Sequence, residues 1–178
     1  SLVELLMDIS IHLLQPSDVG PLLEFELENR EWFDQFVPAR DDSFYSDSGV
    51  ADQVTLFLKE YQNGELIPML IKDANGVICG RINVRDISKN GENGELGYRV
   101  GRAFGSKGVA SNAVRTLLIY LAKHSSLKYI DAYALVGNVG SNKVLTNTGF
   151  DLVDCVPNYA VFKGKQQDAN YYRKAISV

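Results

Sequence analysis

At 178 residues, 46% hydrophobic and 22% charged, the chain suits one domain spanning residues 1–178, long enough to bury roughly 70% of its unfolded surface without disulfides or metal. The formal net charge of −4 argues against a nucleic-acid groove, which would show clustered Lys and Arg, and suits a cationic amine partner better. Cys79 and Cys155 stand far apart without CxxC or His-rich spacing, so neither a zinc site nor a disulfide framework is indicated, and both read as buried free thiols.

The start, Leu2-Val3-Glu4-Leu5-Leu6-Met7, is too short and too acidic for a signal peptide, and no run reaches membrane-spanning length, so a cytoplasmic location is expected. Ile9 to Leu14 reads as a strand stopped by Pro16, with His12 as a structural residue. Ser17 is placed as N-cap of a helix carrying Val19, Leu22, Leu23 and Leu27. A second helix follows near Trp32, then a polar loop from Pro38 through Gly49, then a helix carrying Val54, Phe57, Leu58 and Tyr61 that Gly64 ends. Ile67 to Lys72 and Val77 to Asp86 flank Asp73-Ala74-Asn75-Gly76, whose Asn-Gly pair signals a hairpin.

Ser88 to Gly94 turns the chain into a third antiparallel neighbour, Glu95 to Val100. Ala110, Ala113, Val114, Leu117, Leu118 and Leu121 then keep the spacing of one buried helix face, with His124 near its end, where a cation complements the dipole. Tyr129 to Leu135 reads as a strand, Ser141 to Thr148 as a short helix capped by Gly149, and Phe150 to Val156 as a strand. Tyr159 to Phe162 and Ala169 to Ile176 form a closing hairpin. The crossover from Glu95 to Leu135 makes its two strands parallel inside an otherwise antiparallel sheet.

The turn Gly105-Ser106-Lys107-Gly108-Val109-Ala110 joins that crossover's first strand to its helix. Two glycines and a small hydroxyl at a helix mouth leave backbone N–H groups uncovered, and the dipole there favours negative charge, so the turn can grip a pyrophosphate. A P-loop fails at two positions when counted from Gly101, and a dinucleotide fingerprint lacks its spacing. The plain alternative is an ordinary strand-to-helix connection.

In context the turn resembles the coenzyme A loop of the GNAT N-acetyltransferases, in which Arg or Gln is followed by two residues, Gly, one residue, and Gly or Ala. Gly108 and Ala110 fill the last two fixed positions, and Gly105 stands where the family has Gln or Arg. A second block, Asn138-Val139-Gly140-Ser141, Val144-Leu145, Asn147 and Gly149-Phe150, is similar to another signature of that family. Glu28-Asn29-Arg30-Glu31-Trp32-Phe33, Pro38, Arg40 and Phe44-Tyr45 in front, with Lys163-Gly164-Lys165, Gln167-Asp168 and Tyr172 behind, resemble the RimJ/RimL branch, which acetylates ribosomal-protein N-termini.

The resemblance implies an α/β fold with a mixed, mostly antiparallel twisted sheet of about seven strands, a central splayed parallel pair and flanking helices. It implies acetyl-CoA as co-substrate with no metal, an amine acceptor entering opposite it, and a monomer or homodimer. Freed backbone groups of Tyr98, Arg99 and Val100 would hold the pantetheine, and Gly105, Ser106, Lys107, Gly108, Val109, Ala110 and Ser111 the pyrophosphate. Asn138, Ser141 and Asn142 would complete the cofactor side, and Trp32, Phe33, Phe44 and Tyr45 would line the amine side.

Transfer from a thioester needs a neutral amine, a stabilised oxyanion and a protonated leaving thiolate. Glu95 is placed either as the base, acting through water, or as an orienting group; Glu92 is a weaker candidate. Ser141 is placed as proton donor to the thiolate, as helix N-cap, or as both. The expected reaction is direct acetyl transfer through a ternary complex to a primary amine, the α-amine of a ribosomal protein. The alternatives are a polyamine or antibiotic acetyltransferase and a non-catalytic acyl-CoA-binding sensor.

Overall fold

The computed structural model describes residues 7–105 and 107–177; Leu2 to Leu6 and Ser106 lie outside the described residues. The chain runs from β1 (Ile9–Leu13) through α1 (Val19–Glu28), α2 (Arg30–Asp34) and α3 (Asp47–Gln62) to β2 (Ile67–Asp73), β3 (Ile78–Arg85) and β4 (Asn93–Val100). It then continues through α4 (Val109–His124), β5 (Tyr129–Leu135) and α5 (Val139–Asn147) to β6 (Asp151–Phe162) and β7 (Lys165–Ala175). The strands form one seven-stranded sheet in the order β1-β2-β3-β4-β5-β7-β6. Among the described residues only the β4–β5 pairing is parallel, as the crossover pattern requires. No helix among the described residues is long and apolar enough to cross a membrane.

Each face of the sheet carries its own core. The α4 stripe Val109, Ala113, Val114, Leu117 and Leu121 is buried, on the spacing read from the sequence, and packs on Ile82, Val84, Leu96 and Ile130. On the other face, Leu22 and Phe25 of α1 and Val50 and Val54 of α3 cover Leu70 and Ile78. Side chains alternate along β4: Leu96, Tyr98 and Val100 join the α4 core, so Glu95, Gly97 and Arg99 face α1 and α3.

The parallel pairing is short. It covers Asn93 opposite Tyr129, Gly94 opposite Ile130 and Glu95 opposite Asp131. Beyond that point β4 stays with β3 as far as Val100 and β5 stays with β7 as far as Leu135, so the middle of the sheet opens as a wedge. Asn142 of α5 closes the wedge's far wall. Its Nδ2 donates to the carbonyls of Leu135 (3.0 Å) and Asn138 (2.8 Å), while its Oδ1 accepts from Asn170 Nδ2 (2.8 Å) and the Tyr172 hydroxyl (2.6 Å).

Several local expectations are corrected. Ser17 does not cap α1; the cap position is Asp18, whose carboxylate instead accepts the Gln15 N–H at 2.8 Å. The polar loop ends earlier than Gly49, because Ser46 accepts the Gly49 N–H and starts α3 at Asp47. The two strands expected on either side of Pro157 are one strand, β6. Proline lacks an N–H, and the ladder answers with an irregularity between Val156 and Ala160, where Asn158 takes φ +53°. Cys79 is buried, its thiol pushed up to about 11 by burial, but Cys155 on the edge strand β6 is exposed.

Asn142 has all four hydrogen-bonding sites engaged. Asn142→Ala should therefore destabilise the fold by about 2–4 kcal/mol, since the Tyr172 hydroxyl and the Asn170 amide lose their acceptor. Urea unfolding monitored by circular dichroism reads this directly, and a loss below the error of the fit would mean that α5 is held elsewhere.

Candidate active site

The wedge forms a cavity of about 510 Å³, walled by Leu96 to Arg99 on β4 and Ala132 to Leu135 on β5, with Asn138, Ser141 and Leu145 on one side and Arg81, Asn83 and Arg85 of β3 on the other. The direction of the β4 backbone groups follows from the ladder. Gly101 N–H donates to the Cys79 carbonyl at 2.8 Å, so alternate residues Arg99 and Gly97 also turn toward β3. Tyr98 and Val100 then point their N–H and C=O toward β5, where pairing has ended at Glu95. Unpaired strand donors facing a cavity can hold an extended polar chain and polarise a carbonyl.

Two hydroxyls meet across the wedge. Tyr98 Oη lies 3.1 Å from Ser141 Oγ, and burial raises the phenol above its usual value, with the bond to Ser141 opposing the rise. The phenol therefore stays protonated through neutral and mildly alkaline pH. Asn138, and not Ser141, caps α5: its Oδ1 accepts the Ser141 N–H at 3.1 Å, which leaves the Ser141 hydroxyl free for Tyr98. The sequence reading uses only the backbone of Tyr98; its side chain carries no local signal, because only the fold brings Ser141 to it.

The glycine turn opens α4 as expected. Gly108 takes φ +70° at the cap position, a conformation that favours glycine, and supplies no side-chain cap, so the N–H groups of Val109, Ala110 and Ser111 point out of the helix end. Lys107 is exposed. Gly105 has φ −65°, and a Cβ there would meet only the Arg102 carbonyl at 3.6 Å, so the backbone does not demand glycine. The preceding loop is fixed by Asn29, whose Oδ1 accepts the Arg102 N–H at 2.9 Å while its Nδ2 donates to the Phe25 carbonyl at 2.9 Å.

On the α1–α3 face, Glu95 Oε2 accepts from Arg85 Nε at 2.5 Å. Behind it Tyr159, Tyr133 and Tyr171 stack with ring centroids 5.0 Å apart. Tyr159 is raised by burial and then by the charge of Glu95, so the carboxylate faces this stack. Tyr171 and Arg173 both bond Asp131. Glu92 is elsewhere, paired with Lys128 on the surface at 2.9 Å.

The four aromatic residues expected to line the amine side do not wall the cavity. Phe33 is buried against Phe25 at 5.7 Å, Trp32 packs edge-on to Phe36 at 4.8 Å, and Phe44 and Tyr45 pack on each other at 5.2 Å beneath Arg40 and Arg30. Phe36, Val37 and Arg40 take the place along the wall. Asn142 has its polar atoms committed inside the protein, as described above. Among the described residues no group of His, Cys, Asp or Glu is arranged to hold a metal ion.

Residues 9–151 match the family model described as an acetyltransferase (GNAT) domain. The chain belongs to that family. It is an N-acetyltransferase, and its reaction is acetyl transfer to an amine. The chain is 27% identical over 144 residues to Probable N-acetyltransferase YjcK of Bacillus subtilis (strain 168), covering 80% of each chain. It is 24% identical over 174 residues to the ribosomal-protein-serine acetyltransferase of Escherichia coli (strain K12), covering 94% of this chain and 93% of the other. Among solved structures, RimL, a ribosomal L7/L12 α-N-protein acetyltransferase in complex with coenzyme A, superposes with a TM-score of 0.85 at 22% identity, over 94% of both chains. The GNAT fold is thus shared over nearly the whole chain.

Proposed function

We propose that this acetyltransferase takes its acetyl group from acetyl-CoA and delivers it, by direct transfer through a ternary complex in the cytoplasm, to the N-terminal α-amine of a ribosomal protein. The names of the relatives support the acceptor, and coenzyme A in a neighbour of the same fold supports the donor. The observation that carries the reading is the wedge itself, where the outward N–H groups of Tyr98 and Val100 meet the Tyr98–Ser141 hydroxyl pair.

Bound acetyl-CoA supplies an activated acyl group. Everything else falls to the chain. Tyr98 and Val100 amides hold the pantetheine and the carbonyl oxygen, and the open end of α4 from Gly108 to Ser111 takes the diphosphate. The hydroxyl pair delivers a proton to the departing sulfur, with Ser141 nearest the α5 wall and Tyr98 behind it. Glu95, paired with Arg85, takes the amine's proton through water. An α-amine, with a pKa of about 8 against about 10 for lysine, needs less help from such a base.

Ser141→Ala should lower kcat by roughly 100-fold or more with little change in acetyl-CoA affinity or melting temperature, because the α5 cap belongs to Asn138. Retained kcat would make the hydroxyl pair purely structural. Glu95→Gln should lose most rate at low pH and progressively less as pH rises through the amine's pKa, because the free amine then forms without a base. A deficit independent of pH would leave Glu95 as a partner of Arg85 only. Acetyl-CoA with a panel of N-terminal peptides, polyamines and aminoglycosides tests the acceptor by mass spectrometry. Transfer to small amines alone would overturn the protein acceptor, and acetyl-CoA binding without transfer to any amine would make the chain a sensor.

A further inference from the structure

A buried carboxylate on the acceptor side holds more positive charge than it can balance. Glu26 of α1 is fully buried; its Oε2 accepts from Arg40 Nη1 at 2.5 Å and its Oε1 from Arg81 Nη1 at 3.0 Å, and Arg99 Nη1 stands 3.8 Å from Oε2. The three guanidiniums are largely covered, with side chains 22%, 7% and 24% exposed. Among the described residues Glu26 is the one carboxylate ion-paired with these three guanidiniums, an excess of positive charge in a partly dehydrated place that an entering anion would relieve. Burial and then the neighbouring Arg40 charge lower Arg99 to about 10, so it stays charged at neutral pH.

All three arginines line the cavity. They are also held in place from behind by aromatic faces: Arg40 over Phe44 at 4.5 Å, Arg99 over Phe33 at 4.9 Å and Arg81 over Phe57 at 5.6 Å. Glu60 and Asp86 reach the same cavity, yet among the described residues neither forms an ion pair with these arginines. Between Arg81 and Arg85 on β3 sits Asn83, whose Oδ1 is buried with no hydrogen-bond partner and lies over Gly97, 3.0 Å from where a Cβ would be. A fixed set of cationic donors beside an unsatisfied acceptor suits a ligand carrying an anion and an amine a short distance apart.

We infer that the acceptor is acidic: the arginines around Glu26 bind a carboxylate within the first two or three residues of the acceptor peptide, while Asn83 receives a hydrogen bond from its amine. This rests on the protein-acceptor reading above and adds a sequence preference to it. Arg99 follows Tyr98 on β4, so the anion lies beside the reacting group and not on a distant surface.

The test pairs matched peptides with Glu or Gln at the second and third positions, assayed for kcat/KM at fixed acetyl-CoA, alongside phosphoserine at the same sites. Glu peptides should exceed their Gln counterparts by at least about 10-fold, the factor one charge-assisted contact supplies, and the ratio should shrink with added salt. Arg99→Met should collapse that ratio toward one without raising the KM for acetyl-CoA. A raised KM for acetyl-CoA at an unchanged Glu/Gln ratio would assign the charge to the cofactor and overturn the inference. Phosphoserine peptides preferred over Glu would replace the carboxylate by a phosphate and overturn it as stated. If no peptide is acetylated, the same comparison is made with amines bearing a carboxylate or an amide; a preference for the former keeps the anion and rejects the peptide. If nothing is turned over, calorimetry of the Glu and Gln peptides on the coenzyme A complex decides, equal affinities overturning the inference.

Discussion

The structure turns on a parallel pairing only three residues long. β4 and β5 share the sheet at Asn93 to Glu95 and then each follows its antiparallel neighbour, β3 or β7. Antiparallel ladders are slightly more stable per residue than parallel ones, and sheet twist adds to the divergence of two strands no longer bonded to each other. The cavity, the freed amides of Tyr98 and Val100, and the hydroxyl pair across the gap all follow from that parting. Asn142 keeps it from closing in the wrong way, because it pins α5 to the end of β5 and to β7 at once.

The two faces of the wedge differ in chemistry because strand side chains alternate. The face toward α4 is apolar apart from Tyr98, and it ends at an uncapped helix N-terminus. The face toward α1 and α3 is charged, with Arg81, Arg85, Arg99 and Glu95 on adjacent strands in mutual register. Glu26 anchors that face: one carboxylate from a helix gathers guanidiniums from the loop after α2, from β3 and from β4. Removing it would leave three largely covered cations without their shared ion-pair partner, a costlier change than losing any one of them.

Much of this was legible in the sequence. The crossover helix, the parallel pair and the two glycine-and-asparagine blocks stand where the spacing put them, because period and turn chemistry are local. The misreadings are non-local. For Ser141 the sequence left a cap, a proton donor or both open, and Asn138, three residues earlier, takes the cap position. The Tyr98 side chain carried no mark of this contact in sequence, since its partner Ser141 is brought to it only by the fold. Trp32, Phe33, Phe44 and Tyr45 were read toward the cleft, whereas the energetics of large rings draw them into the second core and under arginines. Glu26 gave no signal at all, being a charged residue on the buried stripe of a helix whose partners lie on three other segments.

Whether acetyl-CoA lodges where β4 and β5 part is read by amide hydrogen exchange measured by NMR with and without coenzyme A. The Tyr98 and Val100 amides, unpaired in the free protein, should become protected on binding together with those of Val109 to Ser111, while Gly97 and Arg99, already bonded to β3, change little. Saturating coenzyme A that leaves Tyr98 and Val100 exchanging as before would contradict that placement and put the cofactor outside the wedge.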